Sequence, residues 1–297
     1  MGNNYKKSVI TIIGAGRVGT SLALRLTGKK FEVKYVIEKS RKNSGNLKKL
    51  FDKIILLKEL SLDVMSESDV IIICTKDDDI RSIVSLLCKF KVDYSKKIIF
   101  HTSGSESSLV FKSLNIPGKN TGSFHPVQTF NEISRDSGKY FKNIFIAAEG
   151  GSEFLRYAEN LCKVTEAKLI TITPREKEMY HLICVYLSNY LISYFKSISE
   201  IGKQIGIPEN KFLDIFSPLI DTTFKNLKEK GFGKSLTGPI ERGDVTTILK
   251  HKKCLLGLDK RYSELYKLLG LEALKIAVSK KSLNKTNSKI IAEILNK

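Results

Sequence analysis

Residues 9–26 read Val9-Ile-Thr-Ile-Ile13, Gly14-Ala-Gly16-Arg-Val-Gly19 and Thr20-Ser-Leu-Ala-Leu-Arg-Leu26. The first five are β-branched or apolar, as in a buried strand. The last seven carry a helical pattern. Between them the glycines each have a task. Gly14 permits a tight turn, Gly16 lets backbone approach a pyrophosphate, and Gly19 lets the helix pack closely on the strand. The free N–H groups of the helix N-terminus then face the phosphates. Gly14, Ala15, Gly16, Arg17, Val18 and Gly19 are therefore expected to cradle a dinucleotide.

Working outward, a second strand over 31–37 ends at Glu38. An acidic residue there holds a ribose 2′-hydroxyl and points to NAD. Lys39, Ser40, Arg41 and Lys42 follow, and cations with a hydroxyl suit a 2′-phosphate and point to NADP. Three cations outweigh one carboxylate, so NADP(H) is the expected cofactor. Further strands are expected at 53–57, 69–74, 97–102, 143–148 and 168–172, with a helix over 153–165. Thr75 and Ser103 follow two of these strands, where parallel sheets bind ligands, and are candidate cofactor contacts. Asp77, Asp78 and Asp79 read as the acidic first turn of a helix rather than as metal ligands. No metal site is expected.

Thr173-Pro174-Arg175-Glu176 has the form of a capping box with proline at the first helical position. It opens a long helix to about Gly202, apolar around most of its circumference and so expected to be buried at a domain or subunit centre. Helices over 208–230, 244–256, 258–279 and 285–296 follow. The expected architecture is α/β: a Rossmann domain over residues 1–172, then an all-helical substrate and dimerisation domain over 173–297.

On the long helix, His181, Ser188 and Asn189 share about one quadrant and form a polar stripe. A buried polar stripe needs partners. His181 suits proton transfer and Asn189 suits holding a hydroxyl or carbonyl. His125, before Pro126 near a strand end, is a second acid/base candidate. His101 reads as structural and His251 as solvated. The turn 236–244 offers Thr237 and Arg242 as substrate contacts, Arg242 by clamping a carboxylate, and Asp244 as an N-cap.

The chain has 297 residues, with Lys+Arg 50 against Asp+Glu 31, a net charge of +19. Only nine of the basic residues are arginine, and no run of five like charges occurs. Without a nucleic-acid-binding pattern this reads as a lysine-biased surface, not a nucleic-acid interface. No apolar run approaches the ~20 residues that span a bilayer. The five cysteines are scattered without a CxxC, as for buried free thiols in a reducing cytoplasm.

Together, the glycine loop, His101-Thr-Ser-Gly104, Phe124-His-Pro-Val127, Tyr180-His181 with Ser188-Asn189-Tyr190, and Leu236-Thr-Gly-Pro-Ile240 with Arg242-Gly-Asp244 resemble one family. It comprises Rossmann-like proteins with a C-terminal helical domain of unknown function, related to the 6-phosphogluconate dehydrogenase C-terminal fold. One branch is a divergent second type of ketopantoate reductase. The resemblance implies an NADPH-dependent reductase of a small 2-oxo acid, 2-dehydropantoate to pantoate, while the cysteine usage points to the cytoplasm and the apolar long helix to a homodimer. Ordinary ketopantoate reductases place a Lys and two Asn at i, i+4 and i+8 of this helix. Here that spacing falls on His181, Val185 and Asn189. Prephenate dehydrogenases, more distant relatives, carry a catalytic His in a turn like His125-Pro126. A prephenate-like or imine substrate on the same frame, and a non-catalytic NADP-binding sensor, stand as alternatives.

Overall fold

The structure is a computed structural model and describes residues 8–29 and 31–296. The chain divides into two compact units, Met1–Tyr190 and Leu191–Lys297. The first unit is built on one eight-stranded sheet. Its strands and helices alternate in the order β1 (Val9–Ile13), α1 (Arg17–Leu26), β2 (Glu32–Ile37), α2 (Arg41–Leu50), β3 (Ile55–Leu57), α3 (Leu62–Glu67), β4 (Val70–Ile73), α4 (Asp77–Lys89) and β5 (Ile98–His101). Then come β6 (Thr121–Pro126), β7 (Phe145–Gly150), α5 (Ser152–Thr165), β8 (Lys168–Thr171) and α6 (Lys177–Val185).

The order across the sheet is β3-β2-β1-β4-β5-β6-β7-β8. All pairs are parallel except β6 with β7, which run antiparallel. The central strands have no polar face because helices cover both sides. Val70-Ile-Ile-Ile73 is buried throughout. One side of the sheet packs Ile10, Ile12, Leu22, Phe100 and Phe154, the other Ile13, Ile71, Ile73, Ile80 and Leu87. Each side buries several large aliphatic or aromatic groups, worth about 1.5–3 kcal/mol apiece.

The chain reverses direction in the sheet's order between β1 and β4. That is the switch point at which open parallel sheets form a crevice beyond their carboxyl ends. The turn after β1 and the loop after β4 both open there. The expected strand end before His125 lies slightly further on. Residues 121–126 form β6, so His125 sits on the strand, paired with Ala147. Extended, hydrogen-bonded backbone holds it more firmly than a loop would.

The expected capping box at residue 173 is half formed. The Thr173 N–H donates to Glu176 Oε2 at 2.7 Å, and the helix proper begins at Lys177. The expected uninterrupted helix to residue 202 is broken by a π-helical turn over Tyr186–Tyr190. Burial also differs from expectation. In the single chain Met179, Leu182, Ile183, Tyr186, Leu187 and Tyr190 are exposed, Leu187 at 71%. The apolar circumference of this segment exceeds what its own unit covers.

The second unit is helical: α7 (Leu191–Lys203), α8 (Glu209–Ser235), α9 (Pro239–Arg242), α10 (Val245–Leu255), α11 (Lys260–Ser279) and α12 (Lys285–Asn296). Gly231 takes φ 71° and ψ 177°, values outside the helical range, so the helix read over 208–230 stops there and a second short helical stretch carries α8 on to Ser235. Asp244 caps α10 as read, accepting from the Thr247 N–H at 3.0 Å. A small core forms around Ile248, Leu274, Ile291 and Leu295. All five cysteines are free, but only Cys74 and Cys162 are buried, while Cys88 and Cys254 are exposed on helix faces. Among the described residues no helix is long and apolar enough to cross a membrane.

Candidate active site

The glycine turn is built by close contact. A Cβ on Gly14, whose φ is +101°, would meet the Cys74 carbonyl at 2.8 Å, and one on Gly19 would meet the Gly14 oxygen at 2.1 Å. Backbone cannot yield at those distances, so both positions demand glycine. At Gly16 the result is opposite: a Cβ there would touch nothing within 4 Å. Gly16 is thus the glycine that faces open space. It is also the N-cap of α1 and offers no side chain to the helix's first N–H groups. Those amides, with no acidic residue in the first turn, form an anion cradle.

The cradle opens into a cavity of about 1100 Å³ lying within the first unit. Gly14, Gly16, Arg17, Val18, Glu38 and Lys39 line one end. Thr75, Lys76, Asp77, Ser103 and Gly104 line the middle, and His125, His181, Ser188 and Asn189 the other end. Ala15 and Gly19 are buried in the turn beneath it. The Ala15 N–H donates to Glu38 Oε2 at 3.0 Å, and the Ser40 N–H to Glu38 Oε1 at 2.8 Å. Glu38 therefore ties the phosphate turn to the turn after β2, with each carboxylate oxygen already engaged. Ser40 itself is exposed, and the side chain of Arg41 lies outside the described residues.

Two features test whether a dinucleotide suits this cavity. Gly16 leaves space where a pyrophosphate would approach. Thr75 lines the cavity, and its Oγ1 is buried without a hydrogen-bond partner. A buried hydroxyl without a partner costs about 1–3 kcal/mol, which a ligand hydroxyl would recover. Cys74, next to it, is no nucleophile: burial pushes its thiol up to about 12.

At the far end the two candidate histidines converge. A Cβ on Gly104 would meet His181 Cδ2 at 2.7 Å and His125 Nε2 at 2.9 Å. The ring centroids are 6.3 Å apart and the rings nearly perpendicular. Gly104 is the floor on which both rings rest. His125 Nδ1 lies 2.7 Å from the Tyr180 hydroxyl. Burial first, then the charge of Lys177, holds the His125 imidazole down at about 4, so it is neutral at pH 7.

Lys177 escaped the sequence reading. Its side chain is 1% exposed. Its Nζ donates to the Ser103 carbonyl at 2.8 Å and to Ser123 Oγ at 2.5 Å, and Ser123 Oγ in turn donates to the Ser103 carbonyl at 3.2 Å. Burial lowers its ammonium to about 8, against the opposing pull of Glu149, Asp77 and Glu106. The bonds clamp the 102–104 loop to the start of α6. The Ser103 hydroxyl is spent locally, accepting from the Ser105 and Glu106 amides at 3.1 and 2.9 Å.

Ser188 and Asn189 belong to the π turn. Ser188 Oγ bonds the Cys184 carbonyl at 2.7 Å, which holds the widened turn. A π turn rotates residues after it away from a 100° progression, and such turns mark functional sites. His101 is wholly buried, its imidazole lowered to about 3 by burial, as a structural histidine would be. Thr237 and Arg242 belong to the second unit, where Arg242 ends α9. His251 there is exposed and lies 3.1 Å from the Tyr266 hydroxyl.

Residues 9–101 match the family model described as "NADP oxidoreductase coenzyme F420-dependent". Residues 144–273 match a domain of unknown function, DUF2520. No curated protein matches the sequence. Among solved structures, a protein of Thermotoga maritima superposes with a TM-score of 0.68 at 20% identity, covering 92% of this chain and 99% of its own. Pyrroline carboxylate reductase of Plasmodium falciparum, solved with NADP bound, gives 0.59 at 13%, covering 96% and 98%. Prephenate dehydrogenase of Aquifex aeolicus gives 0.55 at 15%, covering 91% and 99%. The fold is that of a Rossmann-type sheet domain followed by a helical region.

Proposed function

We propose that the chain is an NADP(H)-dependent oxidoreductase of a small molecule, reducing a carbonyl or imine carbon. The observation that carries the reading is one continuous cavity. It has an anion cradle at one end and two histidines packed on Gly104 at the other. The description of the family model matched by residues 9–101 supports the choice of NADP. When bound, the cofactor would supply hydride.

The chain's own residues have separable tasks. The α1 amides and Gly16 would bind the pyrophosphate, with Lys39, Ser40 and Arg41 at the 2′-phosphate. Thr75 would take a ribose hydroxyl and Ser103 would border the nicotinamide through its backbone. His181, less confined than His125, would give a proton to the developing alkoxide. Asn189 and Ser188 would orient the substrate. A 2-oxo acid is the first substrate class to test, with 2-dehydropantoate as its leading member.

One observation favours imine reduction as a second reading. His125 is held neutral, and a cationic iminium needs no proton from the protein. In that case a His181→Ala variant stays active on cyclic imines. The test is NADPH oxidation with panels of 2-oxo acids and cyclic imines, run on the wild type and on His181→Ala and His125→Ala. General acid loss lowers kcat by about 10²–10⁴-fold with NADPH affinity unchanged. Tight NADPH binding with no turnover on any substrate would leave a sensor. The exposed apolar face over 179–190 supports a homodimer as its cover, and light scattering at the monomer mass would refute that.

A further inference from the structure

His125 offers two ring nitrogens with different surroundings. Nδ1 faces the Tyr180 hydroxyl at 2.7 Å. Nε2 faces the cavity, over Gly104, where an added Cβ would lie 2.9 Å from it. The two rings meet edge to face, with centroids 5.6 Å apart. Which nitrogen carries the proton decides whether His125 accepts from a substrate or donates to it.

We propose that Tyr180 is a positioning residue that fixes His125 as the neutral tautomer protonated on Nε2, so that His125 presents a hydrogen-bond donor to the cavity. The inference deepens the reading of this cavity as an oxidoreductase site and assigns His125 a role that differs from a general base. Its role becomes polarising a substrate oxygen or nitrogen lying above Gly104.

Two arguments converge on this tautomer. The first is electrostatic. The titratable groups that act on His125 come from two helices: Lys177 and His181 on α6, and Asp77 at the start of α4. Lys177 is buried with its ammonium bonded to the loop that carries Gly104. Only Asp77 favours a proton on His125, and its carboxylate accepts from Ser105 Oγ at 2.6 Å. A second positive charge beside a buried ammonium is unfavourable, so the ring stays neutral. The second argument is hydrogen-bond strength. A phenol is a good donor and a poor acceptor, whereas the lone-pair nitrogen of a neutral imidazole is a strong acceptor. Burial first, then a hydrogen bond with the Cys184 side chain, raises the Tyr180 hydroxyl above its ordinary range, so it keeps its proton. The phenol therefore donates to Nδ1, and the single ring proton resides on Nε2. A neutral imidazole held as a donor is a known way to polarise a carbonyl.

The arrangement also accounts for the buried lysine. Lys177 does not line the cavity, and its three acceptors are protein oxygens. Its charge acts on the histidine from beneath the loop.

The test is ring-¹⁵N NMR of the full-length protein labelled at histidine, without cofactor or substrate. In the wild type the His125 Nδ1 resonance should lie in the unprotonated range and Nε2 in the protonated range, unchanged from pH 8 to pH 5. Tyr180→Phe removes one hydroxyl from the ring edge and should let the tautomers mix. Lys177→Gln should let His125 titrate at a higher pH than in the wild type. Where NADPH oxidation is measurable, Tyr180→Phe should lower kcat about 10-fold or more with KM for NADPH unchanged. A wild-type His125 protonated on Nδ1, or cationic at pH 6, overturns the proposal even if both variants fail to fold. So does a Tyr180→Phe protein with unchanged His125 resonances. The NMR result is independent of turnover, so failure of the oxidoreductase reading is seen separately, as absent NADPH oxidation.

Discussion

Replacing Gly104 by alanine places one methyl group between the two histidines. The methyl would stand 2.7 Å from His181 Cδ2, 2.9 Å from His125 Nε2 and 3.2 Å from His125 Cδ2. His125 cannot retreat easily. It sits on a paired strand and its Nδ1 is bonded to Tyr180. His181 is only partly buried and its ring is the far end of a flexible side chain. The strain should therefore be relieved by His181. To recover ordinary contact at 3.4 Å its ring must shift by about 0.7 Å or rotate to another rotamer. Overpacking of this kind costs about 1–3 kcal/mol, and the yielding His181 places this case toward the lower end. The catalytic cost should be larger, because a misplacement near 1 Å can remove about 10²-fold in rate. NADPH affinity should hold, since the glycine turn lies at the other end of the cavity. The assays are denaturant unfolding, NADPH titration and turnover on whichever substrate the panels identify. Wild-type turnover in Gly104→Ala would refute the claim that these rings act together. Loss of NADPH binding with turnover chemistry intact would refute the placing of cofactor and substrate ends.

Arg41→Ala should weaken NADP binding by about 1.5–3 kcal/mol and leave NAD nearly unchanged, as measured by cofactor titration. Equal affinity of the wild type for both cofactors would instead assign the ribose to Glu38. Acid should destabilise the first unit in a defined window. The His125 imidazole lies at about 4 in the fold against 6.5 ordinarily, and His101 at about 3. The unfolded chain binds these protons first, so stability falls as pH drops from about 6.5 toward 4 and 3. For His125 the full loss is about 3 kcal/mol. A His125→Gln protein should show a shallower decline, and an identical pH profile would contradict the assignment.

Much of this site was legible in the sequence because local geometry dictates it. A strand, a glycine turn and a helix in that order leave little choice of fold, and at Gly14 and Gly19 a Cβ would clash with backbone, as a tight turn requires. His125, His181, Ser188 and Asn189 do line one cavity. What stayed hidden depends on long-range packing. Lys177 follows Arg175 and Glu176 in a polar run and reads as solvated. Only the loop at 102–104 and Ser123, more than fifty positions away, give it partners. The Tyr180–His125 bond spans 55 positions. The π turn has no compositional signature beyond Ser188 and Asn189, residues that compete for backbone bonds inside helices. The apolar circumference of the 173–202 segment led to an expectation of burial, yet Met179, Leu182, Leu187 and Tyr190 are exposed. It did not show that a single chain leaves that surface open.

The most direct test of the account is NADPH oxidation by the purified wild-type protein across the 2-oxo acid and cyclic imine panels, with NADPH affinity measured in parallel. The account predicts tight, saturable NADPH binding and substrate-dependent oxidation with at least one member of a panel, lost on replacing the histidines at Gly104. Failure to bind NADPH, or oxidation that survives the double replacement His125→Ala with His181→Ala, would contradict it.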